Sequence, residues 1–263
     1  MAQRRAKIGS NLAAVLPGLA ALVVLLAVWQ AYSGLSGVGD DVLPSPGRVA
    51  SAGWDDRSSL LANLWPTVRE VVLGFGVSLT AAFVLSVLLD RSRTARRALT
   101  PVLVGSQTLP IIVLAPLVVI WFGFGLLPKV LLVALVTFFP LVLSLVDGYA
   151  ATPREAMTLM RTMGAGWWTT FRVARFPSAL PGFFTGLRIS ITYAVVAAIF
   201  AEYAGAELGL GVYMQSARNS FRTDLVLAAV VLSAALTLLL YALTFAIERA
   251  VIPWNRRTAG DPR

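Results

Sequence analysis

The chain has 263 residues, 57% of them hydrophobic and only 13% charged, with 22 Lys and Arg against 13 Asp and Glu and a formal net charge of +9. A soluble domain carries about a quarter charged residues and a disordered chain needs low hydrophobicity, so both classes are excluded and the composition is that of a protein living in a bilayer. Cys and His are absent, which removes disulfides, thiolate chemistry, His-ligated metals and Ser-His nucleophiles, so no catalytic and no metal site is expected.

A helix needs about 20 apolar residues to cross a hydrocarbon core of about 30 Å. Taken in chain order, six stretches meet that demand: Leu12 to Tyr32, Val71 to Leu89, Pro101 to Phe122, Val130 to Val146, Phe183 to Ala204 and Leu225 to Ile247. Arg4, Arg5 and Lys7 precede the first stretch, and its apolar run exceeds a signal-peptide core of about 7–15 residues, so it reads as an uncleaved helix, with a cleaved leader as the alternative. Arg188 and Glu202 fall near the ends of the fifth stretch, where a long Arg snorkels to the interface and a Glu meets water or a partner helix.

With the N-terminus inside, sixteen of the 22 basic residues fall on the cytoplasmic side and six outside. This is the positive-inside bias that orients a multi-pass plasma-membrane protein, with both termini cytoplasmic, and it explains the net charge without nucleic acid. The segments between spans are too short for a further folded domain, so residues 1–263 read as one all-α membrane domain of about six transmembrane helices.

No Asp, Glu, Lys or Arg lies near the middle of a span, whereas ion-coupled carriers keep such a group there. The milder polar residues within spans also serve helix–helix hydrogen bonding. Gln107 stands out, because its amide has four hydrogen-bonding positions to satisfy and sits three residues before Pro110. Pro110 and Pro116 each free a carbonyl in the third span, which must then face protein or a water-filled cavity. Gln107, Pro110 and Pro116 are therefore candidates for lining a path; a packed structural kink is the competing reading of the prolines. The glycine pairs at 123–125 and 209–211 do not extend to a nucleotide-binding loop, so any ATP must be held by another chain.

The segment Gly148 to Gly182, on the cytoplasmic side, has helix formers from Glu155 to Met163, a stop at Gly164, and a second short helix through Trp167, Trp168, Phe171 and Val173 ending at Pro177. A helix–Gly–helix hairpin with a Met and Trp face suits either the headgroup layer or a protein groove.

Thr158-Leu159-Met160-Arg161-Thr162-Met163-Gly164-Ala165, with Phe171, Pro177, Ala179-Leu180-Pro181 and Gly186-Leu187-Arg188 behind it, resembles the EAA loop of inner-membrane permeases of binding-protein-dependent ABC importers. Leu43-Pro44-Ser45-Pro46, the run ending Trp121-Phe122-Gly123, and Ala201-Glu202 are similar to the branch that carries nitrate, sulfonates, taurine and pyrimidine precursors. The likeness covers nearly the whole chain. It departs at the triplet itself, where Thr158, Leu159 and Met160 stand in the Glu-Ala-Ala positions and the nearest carboxylate, Glu155, lies one turn earlier. The resemblance implies a non-enzymatic permease subunit of a type I importer. Its partners would be a cytoplasmic ATPase dimer holding ATP and Mg, a second permease copy, an extracytoplasmic solute-binding protein and membrane lipid. It places ATPase coupling on Glu155, Thr158, Arg161, Met163, Gly164 and Ala165.

Overall fold

The computed structural model describes residues 2–253, with side chains from Leu16 onward. The basic side chains of Arg4, Arg5, Lys7, Arg256, Arg257 and Arg263, counted above for orientation, lie outside the described residues. Among the described residues all regular structure is helical: α1 (Ala2–Leu35), α2 (Pro46–Asp55), α3 (Arg57–Arg91), α4 (Arg93–Ser106), α5 (Ile111–Phe122), α6 (Leu126–Ala150), α7 (Arg154–Thr162), α8 (Trp167–Thr170), a π-helical turn (Phe171–Arg175), α9 (Phe176–Tyr203), α10 (Leu210–Asn219) and α11 (Thr223–Val251). Five described helical stretches are long and apolar enough to cross a membrane, and six if α4 and α5 together make one bent span.

The chain divides into two units, one built from the residues up to Leu60 with Met214–Val231, the other from Leu61–Tyr213 with the residues from Leu232 on. In the second unit, α6 and α9 form the central seam. Apolar side chains gain nothing from meeting each other rather than lipid, so helices in a membrane associate through close backbone approach. Small residues and a proline recur every four positions on both helices: Pro140, Ser144 and Gly148 on α6, Gly182, Gly186 and Ser190 on α9. A Cβ at Gly148 would stand 2.7 Å from the Ala179 Cα, and one at Gly186 would collide with the Ser144 side chain. Ser190 Oγ donates to the Thr137 carbonyl at 3.0 Å. Leu141, Val142, Ala194 and Val195 are buried along this seam.

Two ion pairs tie helices of this unit together. Arg175 bonds Asp90, and Arg188, expected to snorkel, instead bonds Glu248 while its guanidinium lies 4.7 Å from the Phe245 ring centroid. In the first unit, Ser45 caps α2 by accepting from the Arg48 amide at 3.3 Å, with Pro46 at the first helical position where its missing N–H costs nothing. Arg48 bonds Asp40, Asp224 accepts two 3.0 Å bonds from Arg222, and the Thr223 hydroxyl donates to the Asp41 carbonyl.

Three expectations need correction. The third span is not one helix: α4 and α5 are bent by 101° at a break over residues 107–110. The ring of Pro110 disfavours the helical region for its predecessor Leu109, and the break falls there. The helix of the fifth span does not begin at Phe183 after a stop at Pro177; helical structure runs unbroken from Trp167 to Tyr203. Pro177 falls in the first turn of α9, immediately after the π turn, and the wider π turn makes room for the ring while removing the usual demand for its missing N–H. The segments Ser33 to Thr67 and Gly205 to Thr223, which the sequence reads as outside loops, instead hold α2, the first turns of α3, and α10.

Candidate translocation path and coupling surface

The hairpin at residues 154–170 is built as the sequence spacing demands. Glu155 occupies the first turn of α7 and Arg161 the last, each complementing the helix dipole. Gly164 then takes φ +70°, its amide donates to the Arg161 carbonyl at 3.0 Å, and the Ala165 amide donates to the Met160 carbonyl at 2.9 Å. This paired pattern closes the helix, and only glycine adopts its left-handed residue without strain.

No residue of α7 is buried. Of the expected coupling residues, Glu155, Thr158, Arg161, Met163 and Gly164 are exposed and Ala165 is half-buried. The Thr158 hydroxyl is turned back onto the Arg154 carbonyl at 3.0 Å. Leu159, 58% exposed, lies one turn before Met163, 72% exposed, so the two form an apolar stripe that residue-by-residue matching to the triplet overlooked.

The base of the hairpin is fixed to the bundle. Phe171 is buried between rings, stacked on Trp167 at 5.3 Å and edge-on to Tyr149 at 5.3 Å. Arg91 of α3 stands 5.5 Å over the Trp167 ring, and the Tyr149 hydroxyl reaches Ser86 Oγ at 3.2 Å. The free surface of α7 is thus joined through packed aromatic groups and continuous helix to the central seam.

The α4–α5 break borders a cavity of 420 Å³ to which Gln107 and Pro110 contribute, with Tyr193 of α9 on the opposite wall. Pro116 is not among its lining residues; it sits within α5, exposed. Irregular backbone at membrane depth survives only where protein buries it or water reaches it. Tyr193 carries no local sequence signal and was not anticipated.

A buried charged cluster was also missed. Glu70 of α3 and Glu202 of α9 are each 1% exposed, and Lys129 of α6 is 9% exposed. Lys129 Nζ pairs with Glu70 Oε1 at 2.9 Å, and Glu202 lies beside Glu70. Glu202 Oε1 accepts from the Thr67 hydroxyl at 2.5 Å and its Oε2 from the Gly211 amide at 2.6 Å. Thr67 Oγ accepts from the Leu210 amide, and Asn63 Oδ1 from the Gly209 amide, both at 3.0 Å. A Cβ at Gly209 would strike the Glu202 carboxyl, so the glycine pair at 209–211, unsuited to phosphate, serves to bring backbone amides onto a carboxylate. The signal in the sequence was three charges near span ends assigned to one side of the bilayer, but nothing local says they meet.

The chain aligns over 238 residues, at 38% identity, with the riboflavin transport system permease protein RibX of Chloroflexus aurantiacus, covering 89% of this chain and 88% of that protein. It is 33% identical to the formylaminopyrimidine transport permease protein ThiX of Halalkalibacterium halodurans, over 89% of this chain and 94% of the relative. Its fold matches a chain of the inward-facing MetNI methionine ABC transporter with a TM-score of 0.66 at 20% identity, over 75% of this chain and 98% of that one. A family model described as binding-protein-dependent transport system inner membrane component matches residues 74–256. The hairpin and the bent span both fall inside that match, and the chain belongs to this family of multi-pass permease subunits, which are not enzymes.

Proposed function

We propose that this chain forms the translocation path of an ATP-driven importer for a small solute. Two copies would enclose the path, a solute-binding protein would deliver cargo on the outer side, and ATP with Mg would be held by two ATPase subunits on the cytoplasmic side, where both termini lie. The observation that supports this most is the unbroken helix from Trp167 to Tyr203, which joins an exposed, rigidly based hairpin to the central seam. Glu155, Thr158, Arg161, Met163, Gly164 and Ala165, with Leu159, form the face that rides on the ATPase. Closure of the ATPase dimer on ATP displaces α7, and the continuous helix carries that displacement to α9. A partner that binds one arrangement better than the other thus drives a two-state change with no chemistry in this chain. Gln107 and Pro110 line the path at the bend, and Pro116 shapes α5 behind it.

The solute is of the kind the family resemblance suggests: a sulfonate, nitrate, taurine or a pyrimidine-type compound. Reconstitution into liposomes tests the reading. Uptake should be absent with the chain alone and appear only when ATPase, ATP and binding protein are supplied. Flux through the chain by itself would make it a facilitator and overturn the proposal.

A further inference from the structure

Taking the path reading above as its basis, we propose that the cavity at the α4–α5 break is a recognition site for an uncharged, planar heterocycle with hydrogen-bonding edges, held by Gln107 and Tyr193. Four polar side chains face this 420 Å³ space: Ser106, Gln107, Thr108 and Tyr193. Two have spent their protons. Ser106 Oγ donates to the Val102 carbonyl and Thr108 Oγ1 to the Gly105 carbonyl, each at 2.7 Å, leaving only lone pairs toward the cavity. The Gln107 side-chain amide and the Tyr193 phenol make no hydrogen bond to any described residue.

Depth makes that open account meaningful. Tyr193 lies ten residues before the end of α9, about 15 Å along the helix, which is half of a hydrocarbon core of about 30 Å. At that depth lipid does not satisfy a phenol, and Tyr193 is 49% exposed with Gln107 exposed on the same cavity, so their partners are water or a passing solute.

The chemistry of the lining selects among solutes. No charged side chain lines the cavity, so a sulfonate or nitrate would shed its hydration there without a counter-charge, at a cost of several kcal/mol. A neutral ring system faces no such penalty. The Gln107 amide presents a donor and an acceptor side by side, the complement of the amide-like edge of a pyrimidine or a fused pyrimidine. The phenol donates a further bond, the two hydroxyl oxygens accept from ring N–H groups, and the rings of Tyr193 and Phe139 offer faces for stacking. The volume lies within the range of about 300–1,000 Å³ typical of small-molecule sites.

The test is equilibrium binding to the full chain in lipid nanodiscs, with uracil and lumichrome as neutral heterocyclic probes and methanesulfonate and taurine as charged ones. At least one heterocycle should bind, with the charged probes failing to compete at a hundredfold excess. Gln107→Ala and Tyr193→Ala should each weaken that binding about tenfold, the scale of one lost hydrogen bond or stacked ring, while Thr80→Ala on α3 leaves it unchanged. Binding of methanesulfonate in preference to both heterocycles, no heterocycle binding by monodisperse chain, or heterocycle binding indifferent to Gln107→Ala and Tyr193→Ala would each overturn the site. ATP-driven uptake in the liposomes alongside any of those results would leave the importer reading standing and remove only this one; flux through the chain alone would remove the importer reading itself.

Discussion

Two polar regions of the membrane bundle differ in how their hydrogen bonds are spent. Around Glu202, both carboxylate oxygens, the Thr67 hydroxyl, the Asn63 side-chain oxygen and three successive backbone amides at 209–211 have partners within the protein, while of the neighbouring Glu70 carboxylate Oε1 is paired with Lys129 and Oε2 is not. Around Gln107 the amide and the facing phenol are left open to a cavity. Buried charges are tolerated only when paired and bonded, so the closed cluster is a device for holding helix ends together. Open polar groups beside a cavity are what the proposed path requires. The same residue types therefore carry different meanings, and the hydrogen-bond account distinguishes them.

The difference can be broken from either side. Lys129→Met removes the cation paired with Glu70 beside a second buried carboxylate and should cost about 3–5 kcal/mol, read as a large drop in thermal stability of the detergent-solubilised chain; adding Glu70→Gln should recover most of it. Unchanged stability in the single variant would mean the cluster holds nothing together. Thr67→Val strands the Leu210 amide and one Glu202 oxygen, a loss of about 1–3 kcal/mol by the same assay. Gly164→Val forces a branched residue into the left-handed region at a local cost of about 1–2 kcal/mol. It should cut ATP-driven uptake at least tenfold while membrane insertion and ATPase binding persist; transport at the normal rate would refute the hairpin's coupling role. Gln107→Ala should shift stability by less than about 0.5 kcal/mol, as surface changes usually do, yet alter solute uptake. A destabilisation as large as that of Thr67→Val would place Gln107 with the closed cluster instead.

Much of this organisation was legible in the sequence, and the failures share a cause. Apolar length located the spans because each is a local property. Gly164 was legible because a helix stop is written within five residues. Pro110 and Pro116 advertised an irregular third span, although a break of 101° rather than a kink depends on how α4 and α5 pack. Pro177 misled, because the π turn that absorbs it is favoured by the aromatic packing of Phe171 on Tyr149 and Trp167, a tertiary arrangement. The cluster was least legible: Thr67 and Glu202 are 135 positions apart, and charges near span ends look like ordinary interface residues until the fold brings them together.

The π turn at Phe171–Arg175 has a consequence in angular terms. Such a turn holds one residue more than an α-helical turn, and each residue of an α-helix is worth about 100° of rotation. The direction in which α7 and its Leu159–Met163 stripe point, relative to the seam face of α9, is therefore set by a single surplus residue. Trimming that residue would keep the helix continuous and its sequence nearly intact while swinging the hairpin about a quarter of a turn around the axis. The azimuth of the proposed coupling face is stored between Phe171 and Arg175, outside the face itself.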